Sequence, residues 1–487
     1  MNPETRLFID GELVAAASGK TYPNISPATE AVIGEAADAG PEDMERAIAA
    51  ARRAFDETDW ATNHSFRLHC LTQLRDGLRS VEQEFKEQIA AETGAPLAIC
   101  GDMGPQCSLP IGFIDYTLEE LPGFQWSRDA GLSEKMGIKS RRLVEKEAIG
   151  VVACVTPWNV PLQINLAKCI PALAAGCTVV LKAAPDTPWS ATMLGRVVKE
   201  HTDIPPGVFN VITSEDPRTV GDQLVGDPRV DMVSFTGSTA VGKHIMQRAA
   251  DTVKKVFLEL GGKSANILLD DANLDSALLS CLGVCFHAGQ GCAILTRLLV
   301  PRSRMAEVEE KLPTFFGFID YGDPSSASQI MGPLINARQR ERVLAYIEQG
   351  KAEGARLLMG GGVPERLEKG YYVEPTIFTD VTNDMTIARE EIFGPVLVVI
   401  PFDDDDDAVR IANDSDYGLS GGVWSADEAR ALAVARRIRT GTVAVNGGIY
   451  YGADAPFGGY RQSGIGREMG PEGFEEYLET KTIAIAV

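Results

Sequence analysis

Residues 149–182 read IGVVACVTPWNVPLQINLAKCIPALAAGCTVVLK. The run Val151–Val155 is short and apolar, the turn Thr156–Asn159 carries a proline, a helical stretch bearing Lys168 follows, and a second apolar run spans Thr178–Leu181. Outward from this stretch the pattern repeats at Val208–Ile212 and Met232–Phe235, each run followed by a turn and a helical segment. Short apolar runs alternating with helical segments predict a parallel sheet in a doubly wound α/β domain.

Upstream, Asp43–Phe55 and Phe66–Glu92 carry helical periodicity, with Ala47, Ala51 and Phe55 on one face of the first. Downstream, a second series begins near Val256: Val256–Leu258, Ile267–Leu269, Leu298–Val300, Val396–Ile400 and Thr442–Val445 read as strands of a second α/β domain. Lys139–Glu147 and the tail Thr480–Val487 read as extended. The tail alternates Ile483, Ile485 and Val487, and an unpaired apolar edge invites aggregation, so it is expected to pair, with another subunit as one option. A chain of 487 residues exceeds the size at which a single core stops growing, so two or more domains are expected.

Composition narrows the functions. Hydrophobic residues at 45% and charged residues at 23% are ordinary for a globular protein. The formal charge of −22 repels phosphate backbones and anionic membranes, which argues against nucleic acid or a membrane surface as a partner. Asp403–Asp407 stands just ahead of the helical stretch Ala408–Ala412, where carboxylates favour the helix dipole and no metal is needed. Nine cysteines without zinc-type spacing, no basic-then-apolar start over Met1–Asp10, and no stretch of about 18 apolar residues give a cytoplasmic reading with free thiols.

Several short motifs bear chemistry. Gly289-Gln290-Gly291-Cys292 sets a cysteine after a glycine-rich turn, where a thiolate and a backbone amide could face one substrate; alone, the motif favours a small buried hydrophobe, as most free cysteines are. Leu258-Glu259-Leu260-Gly261-Gly262-Lys263 ends a strand with a carboxylate whose burial would suit a general base, or which simply caps a loop. In Pro157-Trp158-Asn159 the amide could donate to an oxyanion, or serve as a turn residue. Phe235-Thr236-Gly237-Ser238-Thr239 has the form of a strand, a turn and a helix start suited to a pyrophosphate. Lys182 closes a strand where a ribose hydroxyl could be held. Glu391-Ile392-Phe393-Gly394-Pro395 offers a carboxylate for ribose and a ring to lie beside a nicotinamide. The segments Pro456-Phe457-Gly458-Gly459 and Ser463-Gly464-Ile465-Gly466-Arg467-Glu468 read as a loop closing over a site or an interdomain connection.

Taken in this order and spacing, the motifs closely resemble the aldehyde dehydrogenase superfamily along essentially the whole chain. The resemblance implies two Rossmann-like open-sheet domains, for cofactor and catalysis, plus a small bridging β-domain for oligomerisation. It places the NAD(P)-binding domain at 1–122 and 147–258, the catalytic domain at 259–455, the bridging domain at 123–146 and 472–487, and a connecting loop at 456–471. It implies Cys292 as nucleophile, Glu259 as general base, Asn159 with the Cys292 amide as oxyanion hole, and Lys168 with Glu468 as a proton relay. Thr156, Trp158, Lys182, Gly237, Ser238, Leu260, Glu391 and Phe393 fall at cofactor positions. The activity implied is oxidation of a small-molecule aldehyde to an acid through a thioester, in a homodimer or homotetramer, with no metal. CoA-acylating relatives typically lack the glutamate, so Glu259 favours hydrolysis. A non-catalytic structural protein on the same scaffold is disfavoured by the joint presence of Cys292, Glu259 and Asn159; a thiol esterase or acyltransferase that uses no nicotinamide is separated by whether reduced cofactor forms with a simple aldehyde.

The chain also departs from the pattern. Pro185 stands where NAD-preferring relatives often carry a glutamate for the adenosine ribose; its absence opens the site to NADP, with Asp186 beside it and NAD kept slightly ahead. His287 and Gly291 replace a frequent asparagine and a usually larger residue, and Ile294 and Leu295 are also unusual. At positions that resemble the aldehyde channel, Val160, Gln163, Ile449 and Tyr451 make a mixed, mostly uncharged mouth.

Overall fold

The computed structural model describes residues 2–101, 104–326 and 328–487. The stretch 149–182 is a parallel strand pair with a helical crossover: Val151–Val155 lies beside Thr178–Lys182, joined by the helix Pro161–Ala175. Pro161 suits the first turn because its missing N–H would have no helical partner, and Gly176, at φ 97°, ends the helix in the left-handed region. Both strands are buried along nearly their whole length, as parallel strands covered on two faces must be.

They sit within an eight-stranded sheet in the order Gly464–Ile465, Lys255–Glu259, Met232–Thr236, Val151–Val155, Thr178–Lys182, Phe209–Ile212, Leu7–Ile9, Glu12–Val14. The five central strands are mutually parallel. Alternation divides their side chains: Val152, Cys154, Val179 and Leu181 join one core, while Val151, Ala153, Val180 and Val233 join the other. A seven-stranded sheet follows, in the order Arg356–Met359, Thr376–Thr379, Val396–Phe402, Leu295–Pro301, Ser264–Leu268, Gly421–Trp424, Ala444–Val445, with its own core. The third sheet pairs Ser127–Lys135 with Ile138–Ala148 and Ile138–Ala148 with Leu478–Ala486, all antiparallel.

Some expectations need correction. The helical stretch 66–92 is two helices, His64–Ser80 and Glu82–Thr93, because Val81 at φ −115° and ψ 16° leaves helical geometry. Val256–Leu258 does not open the second sheet; it pairs with Met232–Thr236 in the first, and the chain crosses between sheets in the four residues between the strand ending at Glu259 and the one starting at Ser264. Of 442–445 only Ala444–Val445 is strand. The tail pairs within its own chain, from Leu478 against Ala148 to Ala486 against Ser140. Asp404 caps the helix Asp405–Asn413 by accepting from the Asp407 amide, as the charge run predicted. No helix among the described residues is long and apolar enough to cross a membrane.

Candidate active site

Val155, Lys182, Thr236 and Glu259 all end parallel strands of the first sheet, so their loops open on one edge, the usual binding edge of such sheets. The nucleophile loop reaches this edge from the second sheet. Its turn demands glycine at 289: φ is 75°, and a Cβ there would lie 2.1 Å from the Gly394 carbonyl oxygen. His287 and Ala288 adopt positive φ as well, which bends the chain sharply before Cys292.

Of the nine cysteines, eight are buried and Cys292 alone is partly exposed. Its thiol faces the carboxyl of Glu259. Burial raises the thiol well above its ordinary value, and the charge of Glu259, a hydrogen bond to it, and the charges of Glu391 and Glu468 add to that. Glu259 is 2% exposed, and its Oε1 has no partner among the described residues. Burial first, then repulsion from Glu468, lifts its carboxyl from 4.5 to about 8, against the pull of Lys168 and of the Cys292 hydrogen bond. A thiol and a carboxyl so placed can exchange a proton.

Asn159 is buried, and its Nδ2 donates to the Gln290 carbonyl at 3.0 Å, which ties the amide to the nucleophile loop. Gln106 Nε2 in turn donates to the Asn159 carbonyl at 2.9 Å. Gln290 itself is fixed, donating to the carbonyls of His287 and Pro333 and accepting from the Ile335 amide. With its backbone carbonyl held by Gln106 and its side-chain amide held by the Gln290 carbonyl, Asn159 is fixed where it can meet a developing oxyanion.

Lys168, fully buried, donates to Glu468 at 2.6 Å and lies 4.6 Å over the Phe257 ring. The segment carrying Glu468 is ordered against the first sheet: Gly464–Ile465 pairs with Leu258–Glu259, and the Leu260 amide donates to the Ser463 carbonyl at 2.9 Å. Ser463 Oγ also donates to the Gly261 carbonyl at 2.7 Å and accepts from the Gly418 amide at 2.9 Å, joining the two sheets behind Glu259.

The remaining predicted residues line the same edge. Thr156 Oγ1 is buried without a partner among the described residues. Lys182, 3% exposed, has no ion-pair partner among them; burial lowers its ammonium to about 8 against the weak pull of Asp186 and Asp216. Ser238 caps the helix Thr239–Ala249, and Leu260 packs where a Cβ on Gly242 would meet it at 2.7 Å. Glu391 Oε1 accepts from the Gly262 amide at 3.0 Å, and burial lifts its carboxyl to about 7. The Trp158 and Phe393 rings meet edge to face at 5.5 Å. A cradle with the unpaired Thr156 hydroxyl and the Lys182 ammonium, beside a helix start whose Gly237 has no room for a Cβ (the Phe235 ring would lie at 2.5 Å), fits a dinucleotide. The carboxylate of Asp186 accepts from Asn336 at 2.9 Å. Ile449 is 86% exposed and lies outside the enclosed part of the site.

The sequence reading missed the supports Gln106 and Ser463 and the role of Gln290. Gln290 and Ser463 stood inside quoted motifs, whereas nothing local marks Gln106, 53 positions from its partner.

Residues 13–483 match the family described as Aldehyde dehydrogenase family. The 3-succinoylsemialdehyde-pyridine dehydrogenase of a Pseudomonas species is 44% identical over 99% of both chains. A Mycobacterium tuberculosis aldehyde dehydrogenase complexed with NAD+ is 40% identical, with a TM-score of 0.94 over 98% of this chain and 97% of that one. Aldehyde dehydrogenase C of Pseudomonas syringae, a cysteine-to-alanine variant complexed with NAD+ and octanal, is 40% identical, with a TM-score of 0.92 over 99% and 97%. With sequence and fold agreeing along nearly its whole length, the chain belongs to the aldehyde dehydrogenase family and is an NAD(P)-dependent oxidoreductase acting on aldehydes.

Proposed function

We propose that Cys292 is the nucleophile of this oxidation, Glu259 its base, and Asn159 with the Cys292 backbone amide the oxyanion donors. As sulfur adds to the aldehyde carbon, the thiol proton passes to the Glu259 carboxylate and the carbonyl oxygen takes up the charge. Asn159 holds that charge, a contribution of about 3–4 kcal/mol to the barrier. When bound, NAD(P) supplies the acceptor for the hydride that leaves carbon. Glu259 releases the thiol proton along Lys168 and Glu468, then takes a proton from the water that hydrolyses the thioester on Cys292 and returns it to the departing sulfur, giving the acid and the thiol. Lys168 and Glu468 hold a proton path behind Glu259.

The observation that carries this reading is that the one thiol of nine that is not fully buried faces a carboxyl lifted to about 8. Lys182 and Glu391 would hold ribose hydroxyls, Thr156, Trp158 and Leu260 would line the cleft, Phe393 would position the nicotinamide, and Gly237 and Ser238 would seat the pyrophosphate. NAD stands slightly ahead of NADP, with Pro185 leaving both open. Cys292→Ala should abolish reduced-cofactor formation with a simple aldehyde, and mass spectrometry of Glu259→Gln should find acylated Cys292. Full activity of Cys292→Ala would overturn the assignment. CoA should not accelerate turnover, which separates hydrolysis from acyl transfer to CoA.

The domain division follows the same reading: cofactor binding in 1–122 and 147–258, catalysis in 259–455, and bridging in 123–146 and 472–487. We read the chain as a cytoplasmic homodimer or homotetramer. Eight buried free cysteines suit a reducing compartment, and the exposed Ile138, Ile483 and Ile485 suit contact with another copy.

A further inference from the structure

A cavity of about 470 Å³ lies between the helix Ser108–Glu120 and the helix Pro161–Ala175, within the usual size range for small-molecule sites. Phe113 and Ile114 on the first helix face Leu166, Ala167 and Ile170 on the second, and Phe474 closes one end. The small side chain of Ala167 leaves room that a larger residue would fill.

The cavity adjoins the reacting groups at one place. Gln163 lines it, and Gln163 Nε2 donates to the Tyr451 hydroxyl. The Tyr451 ring lies 5.9 Å from Phe113 on the cavity side and 5.2 Å from Phe457. On its other side the same phenol feels Glu468, Cys292 and Glu259, which with burial raise it well above its ordinary value. Gln163 is 8% exposed, and its Oε1 has no partner among the described residues. The Gln163–Tyr451 pair is thus a polar partition between an apolar chamber and the thiol.

Charge at the chamber has one sign. Glu119 and Glu120 line it, and the Tyr116 phenol on its wall is raised first by burial and then by the charges of Glu120, Asp454 and Glu472. Neither lysine nor arginine lines it among the described residues.

We propose that this chamber holds the tail of the aldehyde, an alkyl or aryl chain of about six carbons or more, uncharged or cationic at its far end, and that it rejects aldehydes ending in a carboxylate. The inference rests on the role given to Cys292. The tail displaces water from apolar walls while the carbonyl end passes the Gln163–Tyr451 pair, and a terminal carboxylate would enter against the acidic rim with no cation to meet it.

The test uses the full-length protein with NAD and a panel of propanal, hexanal, octanal, 3-phenylpropanal and succinic semialdehyde. Burial of a methylene is worth about fourfold in kcat/KM, so octanal should exceed propanal at least tenfold, and succinic semialdehyde should be the poorest substrate. Ala167→Trp should lower the octanal-to-propanal ratio at least tenfold; Ile170→Trp gives the same reading should the first variant fail to fold. Glu119→Lys/Glu120→Lys, at the exposed rim, should raise the succinic semialdehyde-to-octanal ratio at least threefold. A flat chain-length profile, a carboxylate preferred by the wild type, or a ratio untouched by both tryptophans would overturn the proposal. So would tryptophan variants that change only the association state, which would make the chamber an interface between copies. Propanal turnover with a flat profile would defeat the chamber alone; no turnover of any aldehyde would defeat the assignment of Cys292.

Discussion

Replacing Glu259 by glutamine should stabilise the protein while disabling it, and the stabilisation should depend on pH. The Glu259 carboxyl is lifted from 4.5 to about 8 chiefly by burial, with Glu468 adding repulsion. For an acid raised above its unfolded value, the folded state keeps its proton to higher pH. The cost of burying the charge is therefore nearly absent below about 4.5, grows through the interval, and is complete above about 8. An interval of that width corresponds to about 5 kcal/mol at pH 9 and less than about 1 kcal/mol at pH 5. Glutamine keeps the shape and never ionises, so the difference between variant and wild type measures this cost. The assay is the thermal midpoint of both proteins from pH 5 to pH 9, at equal protein concentration. The gap should be small at pH 5 and reach about 10–20 °C at pH 9, given about 2–4 °C per kcal/mol for domains of this size. A gap that stays constant with pH would mean that Glu259 titrates like an exposed carboxylate, and the reasoning about the base would fail with it.

The pH dependence of turnover should mirror this titration: with Glu259 as the base of deacylation, steady-state kcat should rise through about pH 8, and a profile flat from pH 6 to pH 9 would count against that role. Asn159→Ala should lower kcat by about 10²–10³ with little change in the melting midpoint, measured by steady-state kinetics and calorimetry; a loss below fivefold would remove Asn159 from the oxyanion site. Lys168→Met leaves Glu468 buried beside Glu259 without its cation, so a destabilisation of about 3–5 kcal/mol is expected in urea unfolding, with acylated Cys292 decaying more slowly. Pro185→Glu should raise the NAD-to-NADP ratio of kcat/KM at least tenfold, since a carboxylate at that strand end would bind a 2'-hydroxyl and repel a 2'-phosphate; an unchanged ratio would place the adenosine elsewhere.

Much of this protein is legible in its linear order because the decisive signals are local. The alternation from Val151 onward predicted the parallel strands, since strands buried on two faces must be continuously apolar and their crossovers must be helical. The motifs around Cys292, Glu259 and Asn159 are each ambiguous alone and were legible through their joint order and spacing, which resemble the aldehyde dehydrogenase superfamily. Other features come from packing between distant segments. The break at Val81 interrupts a pattern whose periodicity runs on through it, and Val256–Leu258 joins the first sheet although its apolar pattern would suit either sheet. Periodicity says that a strand is buried; which strand lies beside it is decided by the crossing of the chain.

The sequence by itself determined an α/β chain with a thiol, a carboxylate and an amide in turns that chemistry can use, and it did so through short-range sterics and hydrophobic period. Only the tertiary structure decided that eight of nine thiols are fully buried while Cys292 is not, that burial, with smaller opposing effects of Glu468 and Lys168, sets the proton affinity of Glu259, and that Gln106 reaches Asn159. Exposure and proton affinity are properties of an environment assembled from residues up to hundreds of positions apart, and desolvation and charge act through space rather than along the chain.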